Sequence, residues 1–470
     1  MSSSDLPPRT RKELYERIAR GGRDEVTLEE MIRLGFWAEE RPLSADATSE
    51  ARVAELSRRL NELREQAASL ANLKKLAEAA KQKRMAESRQ RRLETKQRRL
   101  GERAAKRSAF QERKKTELGY LGPKVSAGLG PLPDRLESDP SALARHGLPA
   151  LPNALELATA LGLTLGQLRF LAYDREVSTV TQYRRFKIPK RTGGERLISA
   201  PRQRLKAAQR FILDSLLDKL PVSEHAHGFR TEHSIVSNAR PHVGAALVVN
   251  VDLRDFFPTV TYRRVKGLFR KLGYCEEVAT LLGLLCTEPD TTQTELDGVT
   301  YYVAKGTRHL PQGAPTSPAI TNLLCRRLDQ RLSGFARKHQ LTYSRYADDL
   351  TLSAPKGVEP PVGAMLAVLE KVAQSEGFSV HPDKISVQRR GRRQEVTGLI
   401  VNEQLGIDRR ALRRFRAFLF QVEKDGPEGK HWGQGGDPVE SAIGFANYVF
   451  MVDPKRGAEL RARALALRAK

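Results

Sequence analysis

The sequence predicts an α+β fold, with helices towards both ends and strands between, on three observations. Val53, Leu56, Leu60, Leu63, Ala67 and Leu70 step by three and four, as on one face of a helix. Ala245–Val251 is a continuous apolar run of the kind a buried central strand shows. Around residues 343–355, Leu341, Tyr343 and Arg345 alternate with Thr342, Ser344 and Tyr346, and Leu350 and Leu352 alternate with Thr351 and Ser353, as in a hairpin. Helices, then a mixed region, then helices again suggest α+β layers with a helical appendix.

At the N-terminus, Thr27 and Glu30 of "TLEEMIRLGFW" read as a capping box opening a short helix within a small segment, 1–45. Residues 46–120 form a basic helical arm. The apolar steps there are those of a coiled-coil seam, and beyond Ala80 the seam gives way to "KQKRMAESRQRRLETKQRRLGERAAKR", basic almost all round. Residues 51–120 hold 21 Lys and Arg against 9 Asp and Glu. Such a run is either a solvated charged helix or an arm that grips nucleic acid. Gly122, Pro123, Gly128, Gly130, Pro131, Pro133, Pro140 and Pro149 mark 121–150 as a linker, so the main domain starts near residue 150.

Over the 470 residues, 81 Lys and Arg face 56 Asp and Glu, a formal net charge of +25. That excess favours a polyanionic partner, nucleic acid first and a membrane surface second. No stretch approaches the roughly 20 apolar residues of a membrane span, and the opening "MSSSDLPPRT" is not a signal peptide, so a cytoplasmic protein without membrane contact is expected. Cys275, Cys286 and Cys325 have neither metal-site spacing nor an even count and read as buried thiols.

The chemistry lies in the carboxylates. Asp348 and Asp349 fall at the tip of the expected hairpin, and Asp252 ends the apolar strand. A lone Asp at a strand end is usually a cap, and an Asp pair is usually a solvated turn. Together they are the arrangement that holds two Mg²⁺, whose hard-ligand preference they meet and which relieves their mutual repulsion.

"VDLRDFF", "LPQGAPTSPAITNLL" (310–324) and "RYADDL" resemble, in that order and spacing, three palm motifs of reverse transcriptases. The resemblance implies a right-hand polymerase: fingers and palm in 151–395 and a helical thumb in 396–470. It implies metal ligation and catalysis by Asp252, Asp348 and Asp349, Gln312 near the nucleotide and template, and Tyr346 beside the primer end. Lys190 and Arg196 in "IPKRTGGERLI" would sit on the triphosphate, Lys384 near the leaving pyrophosphate, and Phe257 against a ribose 2'-hydroxyl. The stretch after the last palm strand is too short for a built-in RNase H domain.

"NARPH" (238–242) and "VTG" (396–398) further resemble signatures of the bacterial retron reverse transcriptases. Members of that family copy part of their own structured noncoding RNA, which is both template and primer, into branched RNA-linked DNA from dNTPs. Synthesis starts on a guanosine 2'-hydroxyl, and the enzymes serve with an effector protein in defence against phage. The resemblance assigns RNA contacts to Asn238, His242, Val396, Thr397 and Gly398. In "DRRALRRFRAFLFQVEKD", Leu412, Phe415, Leu419 and Val422 form an apolar face that leaves Arg409, Arg413 and Arg416 free to grip a duplex backbone. The alternatives are a group II intron-like or diversity-generating reverse transcriptase, and a non-catalytic nucleic-acid-binding scaffold.

Overall fold

The computed structural model describes residues 10–469 apart from 22, 37–46, 70–72, 123–124, 126–136, 190–192 and 434–435. The chain divides into two units, Met1–Lys106 and Arg107–Lys470.

The first unit is helical: Arg11–Gly21, Arg23–Arg33, Ala47–Ser69 and Leu73–Thr116, the last running on into the second unit. The helix expected to open at Thr27 instead begins at Arg23. Thr27 lies inside it with its hydroxyl donated to the Arg23 carbonyl at 2.8 Å, so the hydroxyl serves the preceding turn and caps nothing. Of the expected seam, Leu56, Leu60 and Leu63 are exposed. The 44 residues of Leu73–Thr116 span about 66 Å at 1.5 Å per residue.

In the second unit an antiparallel sheet has the strand order Ser386–Arg389, Leu247–Arg254, Asp349–Ala354, Thr342–Tyr346, and Ser379–Val380 extends the pairing of Leu247–Arg254. One face presents Val249, Val251, Leu253, Leu350 and Leu352 to the main core, which the helices Tyr262–Lys271, Glu276–Cys286 and Arg326–Lys338 help to build. A two-stranded hairpin, Tyr183–Pro189 with Glu195–Pro201, docks through the Ser199 amide, which donates to the Gln312 carbonyl at 2.8 Å. The Glu288–Leu296 and Val299–His309 hairpin makes a further sheet with Val177–Ser178.

The expected linker is partly core. Leu121, Leu143 and Leu148 are buried in the main cluster, and Asp139 caps the short helix Pro140–Arg145. Most of 123–136, with Pro123, Gly128, Gly130, Pro131 and Pro133, lies outside the described residues. The helices Arg409–Asp425, Pro438–Val452 and Pro454–Ala466 share a smaller core of their own around Phe415, Leu419 and Ala446. The three cysteines are buried free thiols, and burial pushes Cys286 and Cys325 up to about 12. No helix among the described residues is long and apolar enough to cross a membrane.

Candidate active site

Alternation along Leu247–Arg254 sends Asp252 to the face opposite the main core, at the open end of the sheet. Asp252 and Asp349 are direct register partners across antiparallel strands. The neighbouring hairpin closes on Tyr346 opposite Asp349, leaving Ala347 and Asp348 as its two turn residues, with Ala347 left-handed at φ 57°.

Two contacts hold this turn. A Cβ on Gly228 would come within 2.6 Å of the Ala347 nitrogen, so the segment carrying Gly228 lies backbone against backbone beneath it. Arg345 is fully buried and grips both carboxylate oxygens of Asp329 at 2.8 Å, with the Asn322 side-chain oxygen also at 2.8 Å and the Ala347 carbonyl at 3.2 Å. The buried carboxylate holds the guanidinium protonated despite its desolvation. Arg345 shares its strand face with the buried Leu341 and Tyr343. Its partners Asp329 and Asn322 were not foreseen, because helix residues carry no mark of the strand they will meet.

The carboxylates repel one another. Burial first, then Asp348 and Asp252, push the Asp349 carboxyl up to about 7. Burial and Asp252 also raise Asp348, partly offset by Lys384 and Arg196. Lys384 Nζ sits 2.9 Å from both oxygens of Asp252. It is carried by the turn Pro382–Lys384, which the His381 amide fixes by donating to the Asp252 carbonyl at 2.8 Å. The three carboxylates do not form a ready-made ion cage among the described residues. Their chemistry nonetheless suits a hard cation: oxygen donors only, crowded enough to lift two of them above the usual carboxylate range.

Around them, Phe257 is half-buried against Phe256 and Phe229, with ring centroids 5.5 and 6.2 Å apart. Gln312 is half-buried, and the next residue, Gly313, is at φ +122°, where a Cβ would meet Ile198 at 2.9 Å. Arg196 is exposed on its strand, and Lys190 lies outside the described residues. Arg409, Arg413 and Arg416 are exposed on Arg409–Asp425 while Phe415, Leu419 and Val422 are buried.

The expected RNA contacts need correction. Asn238, His242 and Val396 are fully buried, which removes them from direct contact with any ligand of this conformation. His242 instead bridges the two hairpin strands, with Nδ1 at 2.7 Å from the Ser353 hydroxyl and Nε2 at 2.7 Å from that of Ser344. Asn238 reaches Thr397 at 3.5 Å, so the two short signatures meet in space. Only Thr397 and Gly398, both left-handed on a two-residue turn, keep surface exposure.

The chain is similar to known proteins over much of its length. A reverse transcriptase (RNA-dependent DNA polymerase) family matches residues 188–402. The chain is 45% identical to the retron Mx162 reverse transcriptase of Myxococcus xanthus over 76% of each protein. It is 43% identical to the retron Mx65 reverse transcriptase of the same organism, over 69% of this chain and 74% of that one. The retron Ec86 reverse transcriptase of Escherichia coli is 33% identical over 67% of this chain and 88% of its own.

Proposed function

The chain belongs to the retron reverse transcriptases and is an RNA-directed DNA polymerase; from that premise we propose that it copies part of a cognate structured noncoding RNA into single-stranded DNA. Synthesis starts on the 2'-hydroxyl of an internal guanosine, so the product is a branched RNA–DNA molecule. The observation that carries this reading is the register pairing of Asp252 with Asp349 beside Asp348 on a braced turn.

Asp252, Asp348 and Asp349 would hold two Mg²⁺. When bound, these lower the pKa of the attacking hydroxyl and stabilise the pyrophosphate leaving group. The protein does the positioning. Arg196, on the strand Glu195–Pro201, and Lys190 clamp the dNTP triphosphate with a fork and a point charge. Phe257 closes the space a ribose 2'-hydroxyl would need, Gln312 supports the nucleotide and template, and Tyr346 seats the primer end. Lys384 neutralises Asp252 until the site fills and then faces the leaving phosphates. In this reading 151–395 are fingers and palm and 396–470 the thumb, whose Arg409, Arg413 and Arg416 hold duplex backbone. The DNA-bearing complex acts with an effector protein in anti-phage defence.

The test is the product itself. The nucleic acid recovered with the protein from cells expressing its cognate RNA should carry DNA joined through a 2',5' linkage and released by a debranching nuclease. Linear, primer-derived DNA would leave a reverse transcriptase of the intron or diversity-generating type.

A further inference from the structure

The sheet face that carries Asp252 and Asp349 is polar one step further in. Asn250 and Thr351 are the next register pair on that face. The Thr351 hydroxyl donates to Asn250 Oδ1 at 2.9 Å, and Asn250 Nδ2 donates to the Glu395 carbonyl at 2.8 Å. The Glu395 amide in turn donates to Gln388 Oε1 at 2.6 Å. Both backbone groups of Glu395 are therefore taken by side chains of the catalytic sheet. Glu395–Val396 and Leu399–Ile400 pair with each other and flank the Thr397–Gly398 turn.

That turn is a junction. Thr397 sits at φ 45°, a costly conformation for a β-branched residue. Its hydroxyl donates to the Ile235 carbonyl at 3.3 Å and accepts from Asn238 at 3.5 Å. Val396, Leu399 and Val401 pack with Val236 and Val248, and with Val452 of the C-terminal helix Pro438–Val452. Tyr448 of the same helix donates to the Gly398 carbonyl at 3.5 Å.

We propose that Asn250 is a positioning residue that ties the strands bearing Asp252 and Asp349 to the turn seating the C-terminal helices, and so sets where primer–template duplex lies relative to the carboxylates. The proposal rests on the polymerase reading. Asn250 makes no bond of the reaction, and its effect should fall on duplex placement.

The experiment uses the full-length protein and a DNA primer annealed to an RNA template. Wild-type extension comes first: its absence would overturn the polymerase reading, while amide exchange at the turn would still report on the tie. Asn250→Leu, close in size and without the amide, should speed amide exchange across 396–400 at least ten-fold and leave 247–251 unchanged. It should raise the KM for primer–template about ten-fold, the worth of one part-buried hydrogen bond, while kcat falls less than three-fold. Thr351→Val leaves the bond to Glu395 in place and should show the same split at smaller size, also where Asn250→Leu fails to fold. Tyr448→Phe should raise the same KM without touching exchange in the central sheet. Unchanged exchange at 396–400, or a fall in kcat at constant KM, would overturn the proposal and return Asn250 to the support of the carboxylates alone.

Discussion

Lys384 places its ammonium 2.9 Å from both oxygens of Asp252, on a turn whose backbone is bonded to that same residue. A cation held against the carboxylate competes with any metal ion for it. Lys384→Met should therefore lower the half-saturating Mg²⁺ concentration for nucleotide incorporation by about three- to ten-fold, roughly 1 kcal/mol for a partly exposed pair. The maximal rate should fall as well, since the charge facing the leaving phosphates is lost. Mg²⁺ titrations of single-nucleotide extension read both effects, and an unchanged midpoint would detach Lys384 from the site.

Arg345 and Asp329 are both fully buried and bonded twice. Removing one partner strands a buried charge, so Arg345→Met or Asp329→Leu should cost about 3–5 kcal/mol in urea unfolding. Replacing both together should recover a large part of that loss. A single replacement costing under about 1 kcal/mol would mean that the turn bearing Asp348 does not depend on the clamp.

Burial holds the His242 imidazole down to about 4. The unfolded chain binds this proton near pH 6.5, so the stabilising contribution is complete above that value. It is lost as pH falls from about 6.5 to about 4, about 3 kcal/mol in all. Asp349, raised to about 7, works with the opposite sign over an overlapping range, so wild type must be compared with a variant. His242→Gln should lose less stability than wild type over this range in urea titrations at stepped pH. Parallel curves would show that His242 takes up a proton without cost in the fold.

Phe257 stands half-buried between Phe256 and Phe229. Phe257→Val should let ribonucleotides in, lowering discrimination at least ten-fold in competition assays while dNTP use falls only a few-fold. Unchanged selectivity would make Phe257 a packing residue alone.

The carboxylates were readable because each sits where a local pattern ends. An apolar run stops at Asp252, and two alternating strands stop at Asp348 and Asp349; strand pairing then brings them together. The helix Arg409–Asp425 was readable for the same reason, since a 3.6-residue period sorts Phe415 and Leu419 from Arg413 and Arg416. What could not be read was long-range. Asn250 meets Glu395 across 145 positions, and Arg345 meets Asp329 from a different element. The resemblance assigned Asn238 and His242 to RNA, and nothing local shows that the sheet beyond offers His242 the hydroxyls of Ser344 and Ser353 to bury against. Pro and Gly in 121–150 suggested a tether, but turns over a core and turns in a tether share the same residues, and Leu121, Leu143 and Leu148 are core.

The most direct test of the account is DNA synthesis by the protein with Asp348→Asn and Asp349→Asn together. Removing two of the three charged ligands should lower Mg²⁺-dependent incorporation at least 10³-fold, about 4 kcal/mol of barrier. Affinity for RNA should stay within two-fold, because backbone grip depends on Lys and Arg elsewhere. Extension by the double variant near the wild-type rate would contradict the assignment of the active site to Asp252, Asp348 and Asp349.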